Sequence, residues 1–150
     1  MSGTRYLILA EGFSGDPHYG KTAHGVLRYR RDDVLAILDS TRSGAAEDGV
    51  PVVATLEEAL RYRPTTALVG VATQGGRFPP AWLELLRGCV EAGLDVENGL
   101  HVFLEDDPEL VELARARGVE LRDLRRPPAD VSTATGGNLG VDGTIVLTVG

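Results

Sequence analysis

The chain is poor in several things at once. Of its 150 residues one is cysteine and one is tryptophan, and Lys21 is the only lysine. A single thiol, Cys89, excludes an internal disulfide framework and any zinc site built on cysteines. Its place on the apolar side of an expected helix makes it a buried, inert thiol rather than a nucleophile. No apolar run approaches the ~18 residues that a membrane-spanning helix needs. The start, MSGTRYLIL, lacks the cationic flank, apolar stretch and small-residue cleavage site of a secretory leader. Cationic clusters are short: RYRR (Arg28 to Arg31) and LRRPP (Leu124 to Pro128) read as solvated loops. With a formal net charge of -7 and a pI near 4.9, the electrostatic footprint of a nucleic-acid binder is missing. Neither G-x-S-x-G nor G-x-G-x-x-G occurs, which removes a hydrolase signature and disfavours an NAD-type oxidoreductase. His18, His24 and His101 share no metal-ligand spacing, so no metal is expected. What is left is one acidic domain, read as soluble and cytoplasmic, with a single core.

Against those absences stands GDPHYGKT, Gly15 to Thr22. It matches G-x-x-x-x-G-K-[ST], in which backbone amides cradle phosphates, a lysine reaches them and a hydroxyl holds Mg²⁺. The surroundings fit poorly. GFS separates the preceding strand from Gly15, Pro17 removes one amide, and Gly25 interrupts a following helix expected to last about two turns. The stretch is better suited to an anion-binding loop of another geometry, with Lys21 beside a helix start as its specific element.

Short apolar, β-branched runs bounded by Gly, Asp or Pro predict buried strands at Arg5 to Glu11, Val34 to Asp39, Val50 to Ala54, Thr66 to Ala72, Leu94 to Glu97, Val119 to Leu124 and Thr144 to Val149. Helical signatures lie between them. Thr55 and Glu58 form a capping box that opens a helix to about Tyr62. Pro79 and Pro80 introduce AWLELLRGCVEAG, whose Trp82, Leu85, Leu86, Cys89 and Val90 build one apolar face until Gly93 stops it. Asp107 caps a third helix that turns Leu110, Leu113 and Ala114 inward and ends at Gly118. Strands alternating with helices of about three turns give an α/β domain with a mostly parallel sheet. Such sheets bind ligands where loops leave the carboxyl ends of their strands.

That rule selects the candidate site residues. Gly12, Lys21 and Thr22 belong to the first loop and the helix after it. Asp39 closes the second strand, where an acid could accept from ribose hydroxyls or simply cap a turn. Gly75 and Gly76 could bring backbone amides to a ligand or merely turn the chain. His101, just past a strand end, could transfer a proton or cap a helix. No catalytic residue is assigned. The segment from Pro127 to Gly143 is rich in Pro, Gly, Ser, Thr and Asp, which marks an exposed connector.

The stretches RYLILAEG, KTAHGVLRYR, VLAILDST, VPVVATLEEAL, LVGVATQGGRFPPAW, EAGLDVENGLHVFL, RRPPAD and VLTVG together resemble the amino-terminal domain of the DgcN family, D-glutamate N-acetyltransferases and relatives formerly known only as a domain of unknown function. The resemblance spans essentially the whole chain. It implies a Rossmann-like three-layer domain over 1–126, a connector over 127–143, and at 144–150 the first strand of a P-loop-like second domain, so that the chain is a cut piece of a longer enzyme. On that footing the match at Gly15 to Thr22 is a coincidence of Gly20. The implied ligands are acetyl-CoA or a nucleotide, and an acidic amino acid whose carboxylates Lys21, Arg28 and Arg77 could meet, with His101 the only near-neutral base in place. The alternative is a non-catalytic nucleotide- or CoA-binding regulatory module. The implied partners are a small anionic ligand and the second domain, with no nucleic acid and no membrane; a homo-oligomer stays open.

Overall fold

A computed structural model of the chain describes residues 3–79, 81–128, 140, 142–144 and 146. Its strands are β1 (Tyr6–Leu9), β2 (Val34–Leu38), β3 (Ala46–Glu47), β4 (Val50–Val53), β5 (Thr66–Val69), β6 (Asp95–Asn98) and β7 (Leu121–Asp123). Its helices are α1 (Lys21–Arg30), α2 (Leu56–Leu60), α3 (Trp82–Glu91) and α4 (Pro108–Arg117). The strands form one sheet in the order β3-β4-β2-β1-β5-β6-β7. Every pairing is parallel except that of β3 with β4. Without β3, this is the doubly wound Rossmann order, in which the chain steps outward from a central first strand and then returns to build the other half.

Right-handed crossovers place the helices. The step from β1 to β2 runs one way across the sheet and carries α1. The steps from β4 to β7 run the other way and carry α2, α3 and α4, which are packed side by side, α3 touching both neighbours. Strand β1 is therefore covered on both faces, and Leu7, Ile8 and Leu9 are fully buried. Burial of each such side chain contributes about 2 kcal/mol. At the far edge DVEN of β6 alternates: Val96 and Asn98 are buried while Asp95 and Glu97 are partly buried. Arg122 of β7 bonds both carboxylates, at 3.1 Å and 2.9 Å, so the face bearing them is polar.

The capping chemistry read from the sequence is present. Thr55 accepts from the Glu58 amide, and Glu58 reaches back to the amide of Ala54. Asp107 accepts from Glu109 and Leu110 at the start of α4, and Gly118 ends that helix with φ of 66°. Three features depart from expectation. Helix α1 runs ten residues, nearly three turns, through Gly25, because Ala23 and Leu27 are buried and tertiary packing outweighs the glycine. Strand β3 has no counterpart among the apolar runs; it pairs with β4 across Asp48 and Gly49, both at positive φ, the Asp-Gly signature of a two-residue hairpin. Strands end earlier than the apolar runs do, since Ala10, Asp39 and Gly70 already turn toward the loops. Pro80, most of the connector 127–143 and most of the seventh expected strand, 144–149, lie outside the described residues.

Candidate functional site

The order in which the chain adds strands reverses between β1 and β5, so the loops leaving these two parallel neighbours diverge and open a crevice at the carboxyl edge. The first loop, residues 10–20, does not take the form of a phosphate cradle. Asp16 accepts from the amides of His18 and Tyr19, both at 2.8 Å, and its carbonyl takes the Gly20 amide at 2.8 Å. Amides that would face phosphates in a P-loop are thus spent inside the loop, and Pro17 has none. Gly20 has its own structural cause: a Cβ there would lie 2.5 Å from the Phe13 carbonyl oxygen and 2.6 Å from that of Asp16.

The same loop is fastened to β2 by Asp39. Its Oδ1 accepts from the Gly12 amide at 3.0 Å, the Thr41 amide at 3.0 Å and the Thr41 hydroxyl at 2.6 Å, while Oδ2 accepts from the Ser14 amide at 2.9 Å. Asp39 is fully buried and takes four hydrogen bonds, three on Oδ1 and one on Oδ2, all from the first loop and the turn after β2. Burial alone would raise its pKa, but the hydrogen bonds from Ser14, Thr41 and Gly12 outweigh it and hold the carboxyl below the usual aspartate value. The acid at the end of the second strand therefore serves the protein's own loop and, being fully buried, presents no oxygen at the surface to a ribose hydroxyl.

On the β5 side the edge opens into a cleft of about 280 Å³. Lys21 reaches it from the first position of α1. That helix start is held against the sheet by the Ala23 amide donating to Gly70 at 2.8 Å and the Ala72 amide donating to Tyr19 at 2.7 Å. Gly70 permits this close packing, since a Cβ would meet Ile8 of β1 at 2.3 Å and Ala23 of α1 at 3.2 Å. The floor is the turn after β5, where Gly75 and Gly76 have φ of 72° and 63°. Gly76 receives the amides of His101 and Val102 on its carbonyl at 3.0 Å and 3.2 Å, and His101 lies so close that a Cβ on Gly76 would be 2.5 Å from its ring. Arg125, just beyond β7, brings Nη1 to 3.4 Å from His101 Nε2. A guanidinium only donates, so in this contact the imidazole nitrogen is the accepting partner.

The buried Asn98 and the partly buried Asp123 hold the far wall. Asn98 donates to the Val102 carbonyl at 2.8 Å and to Asp123 at 2.7 Å, and accepts from the Leu100 amide at 2.9 Å. Asp123 also accepts from the amides of Leu104 and Glu105. The neighbouring arginines divide the work: Arg126 pairs with Glu105 and Asp106 and lies 4.2 Å over the Phe103 ring, whereas Arg125 faces the cleft. Neither Lys21 nor Arg125 forms an ion pair with any described residue. No carboxylate among the described residues lines the cleft, so a protein of strongly negative net charge has a locally positive hollow at its topological switch point.

The structure brings Lys21, Gly75, Gly76 and His101 together and leaves Gly12, Thr22 and Asp39 outside the cleft. Gly12 sits in the Asp39-bound loop at φ of 77°. Arg28, on a later turn of α1 beside Tyr29, and Arg77 do not line it either. Arg125 and Thr73 are lining residues that sequence reasoning passed over; applying the carboxyl-end rule to the strand before LRRPP would have singled out Arg125. Among the described residues no three His, Cys, Asp or Glu side chains are grouped to hold a metal ion, and no helix is long and apolar enough to cross a membrane.

Comparison with known proteins adds the following. The family described as a domain of unknown function, DUF1611_N, a Rossmann-like domain, matches residues 39–127. A D-glutamate N-acetyltransferase from Tritonibacter scottomollicae is 34% identical over 136 residues, covering 91% of this chain and 40% of that protein. A second protein of that name, from a Pseudoalteromonas species, is 33% identical over 93 residues, covering 62% of this chain and 27% of that protein. The crystal structure of a DUF1611 family protein from Anabaena variabilis superposes with a TM-score of 0.78 at 30% identity, over 91% of this chain and 41% of that one. Homoserine dehydrogenase of S. aureus, at a TM-score of 0.50 and 15% identity over 80% of this chain and 31% of that one, shares the fold alone. The chain thus spans less than half the length of either acetyltransferase.

Proposed function

The chain belongs to the DUF1611_N family of Rossmann-like domains, and from that premise we propose that it is the amino-terminal part of a cytoplasmic N-acetyltransferase acting on D-glutamate or a similar amino acid, with acetyl-CoA as donor. A P-loop-like second domain would complete the site. The carrying observation is the cleft at the switch point, lined by Lys21, His101 and Arg125 and by no described carboxylate. In the reaction the substrate nitrogen attacks the thioester carbonyl; a C–N bond forms, the C–S bond breaks, the nitrogen loses a proton and the sulfur gains one. Such chemistry requires an anion site for substrate carboxylates and a deprotonated amine. Cations around the cleft serve both needs, because they attract carboxylates and favour the neutral form of a nearby amine. His101 is the only imidazole among the residues that line the cleft.

The reading is tested by an acetyl-transfer assay with acetyl-CoA and D-glutamate, run on the 150-residue chain and on the product of the complete open reading frame. Activity is expected only in the longer protein. Full activity in the short chain refutes the divided site. No activity in either favours the second reading, a non-catalytic nucleotide- or CoA-binding module, which draws support from the doubly wound strand order, a frequent nucleotide-binding architecture.

A further inference from the structure

We infer that the Lys21–His101–Arg125 cleft is the subsite for a small dicarboxylate, the acidic amino-acid acceptor of the proposed transfer, and does not hold the nucleotide portion of the acyl donor. The inference rests on the acetyltransferase reading for the identity of the acceptor, but its physical basis is the cleft itself. About 280 Å³ lies just below the range of pockets that enclose drug-sized ligands, and it suits a five-carbon diacid better than an adenine nucleotide carrying a long thiol arm. The lining has two cations, one threonine hydroxyl and a glycine-rich floor, and it offers no tyrosine, tryptophan or phenylalanine on which a base could stack.

The cations come from opposite ends of the fold. Lys21 opens α1, while Arg125 follows β7 and is steadied by His101. Two separated positive groups match a ligand with two separated carboxylates. A guanidinium binds a carboxylate through a planar fork, and an ammonium acts as a compact point charge. Nucleotide binding at the other half of the edge meets the obstacle already described: Asp39, placed where ribose is read in doubly wound folds, is fully buried and engaged by Gly12, Ser14 and Thr41.

The experiment is titration calorimetry on the 150-residue chain with glutarate, D-glutamate, D-glutamine, ADP and coenzyme A, repeated on Lys21→Ala and Arg125→Ala, with circular dichroism confirming that each variant is folded. Both substituted residues are solvent-exposed, so folding should survive. Glutarate and D-glutamate are expected to bind at least tenfold more tightly than D-glutamine, and each substitution should weaken them at least tenfold. The inference is overturned if the diacids fail to bind, if they bind the folded variants unchanged, or if ADP and coenzyme A bind and lose affinity on the same substitutions. The acetyl-transfer assay separates the two ideas: diacid binding without acetyl transfer by the longer protein retains the subsite and discards the acetyltransferase, whereas transfer without diacid binding here does the reverse.

Discussion

The carboxylate of Asp39 and the amide of Ser14, 25 residues apart in sequence, meet at 2.9 Å inside the protein. This contact, with the Gly12 and Thr41 bonds, ties the first loop to the end of the second strand. Asp39→Asn replaces one acceptor oxygen with an amide that faces the Ser14 N–H. Leaving a buried donor unsatisfied costs about 2 kcal/mol, and chemical denaturation should show a loss of that order with unchanged secondary structure.

The pH dependence follows from the same site. The folded carboxyl of Asp39 titrates below its unfolded value of about 3.9, so its stabilising contribution is complete above that value and disappears as pH falls through the lower folded one. Unfolding free energy measured from pH 5 to pH 2 should decline less steeply in Asp39→Asn than in the parent chain. Equal slopes would mean that Asp39 does not carry this share of the acid sensitivity.

Three glycines near the site are predicted to respond differently to alanine. Gly25 lies in α1 with open space where a Cβ would sit, no atom coming within 4 Å, so Gly25→Ala should stabilise by about 0.8 kcal/mol through helix propensity. Gly76→Ala combines a left-handed φ with a clash against His101 and should cost about 2 kcal/mol or more. Gly20→Ala forces a Cβ onto two backbone carbonyls and should be destabilising as well. Thermal unfolding of the three variants gives the order directly.

Cys89 faces the core side of α3, fully buried, and burial pushes its thiol up to about 12. Because the thiolate is the reactive species, a thiol-specific chromogenic reagent should leave the native chain unlabelled at pH 8 and label it stoichiometrically in denaturant. Rapid native labelling would contradict the packing of α3 against the sheet.

GDPHYGKT should not hydrolyse nucleotide. Its amides serve Asp16, and Gly20 is explained by Phe13 and Asp16. Turnover of ATP or GTP that disappears in Lys21→Ala would be the contrary result.

Much of the fold was legible because its causes are local. The capping box at Thr55 and Glu58, the Asp107 cap, the Gly118 terminator and the apolar face of α3 each depend on residues within a few positions of one another, and alternating strands and helices imply a parallel sheet. Of the candidate site, Lys21, Gly75, Gly76 and His101 could be named because the carboxyl ends of parallel strands share an edge. Tertiary structure alone decided the rest. Which strand lies beside which is a matter of crossover direction, and no local pattern encodes it. Only that order puts Arg125 next to His101, 24 residues away, and turns Asp39 from a candidate ligand group into the anchor of a loop 25 residues earlier. A carboxylate buried among amides and one open to a ligand look identical in sequence, because the difference lies in which donors the folded chain delivers to it.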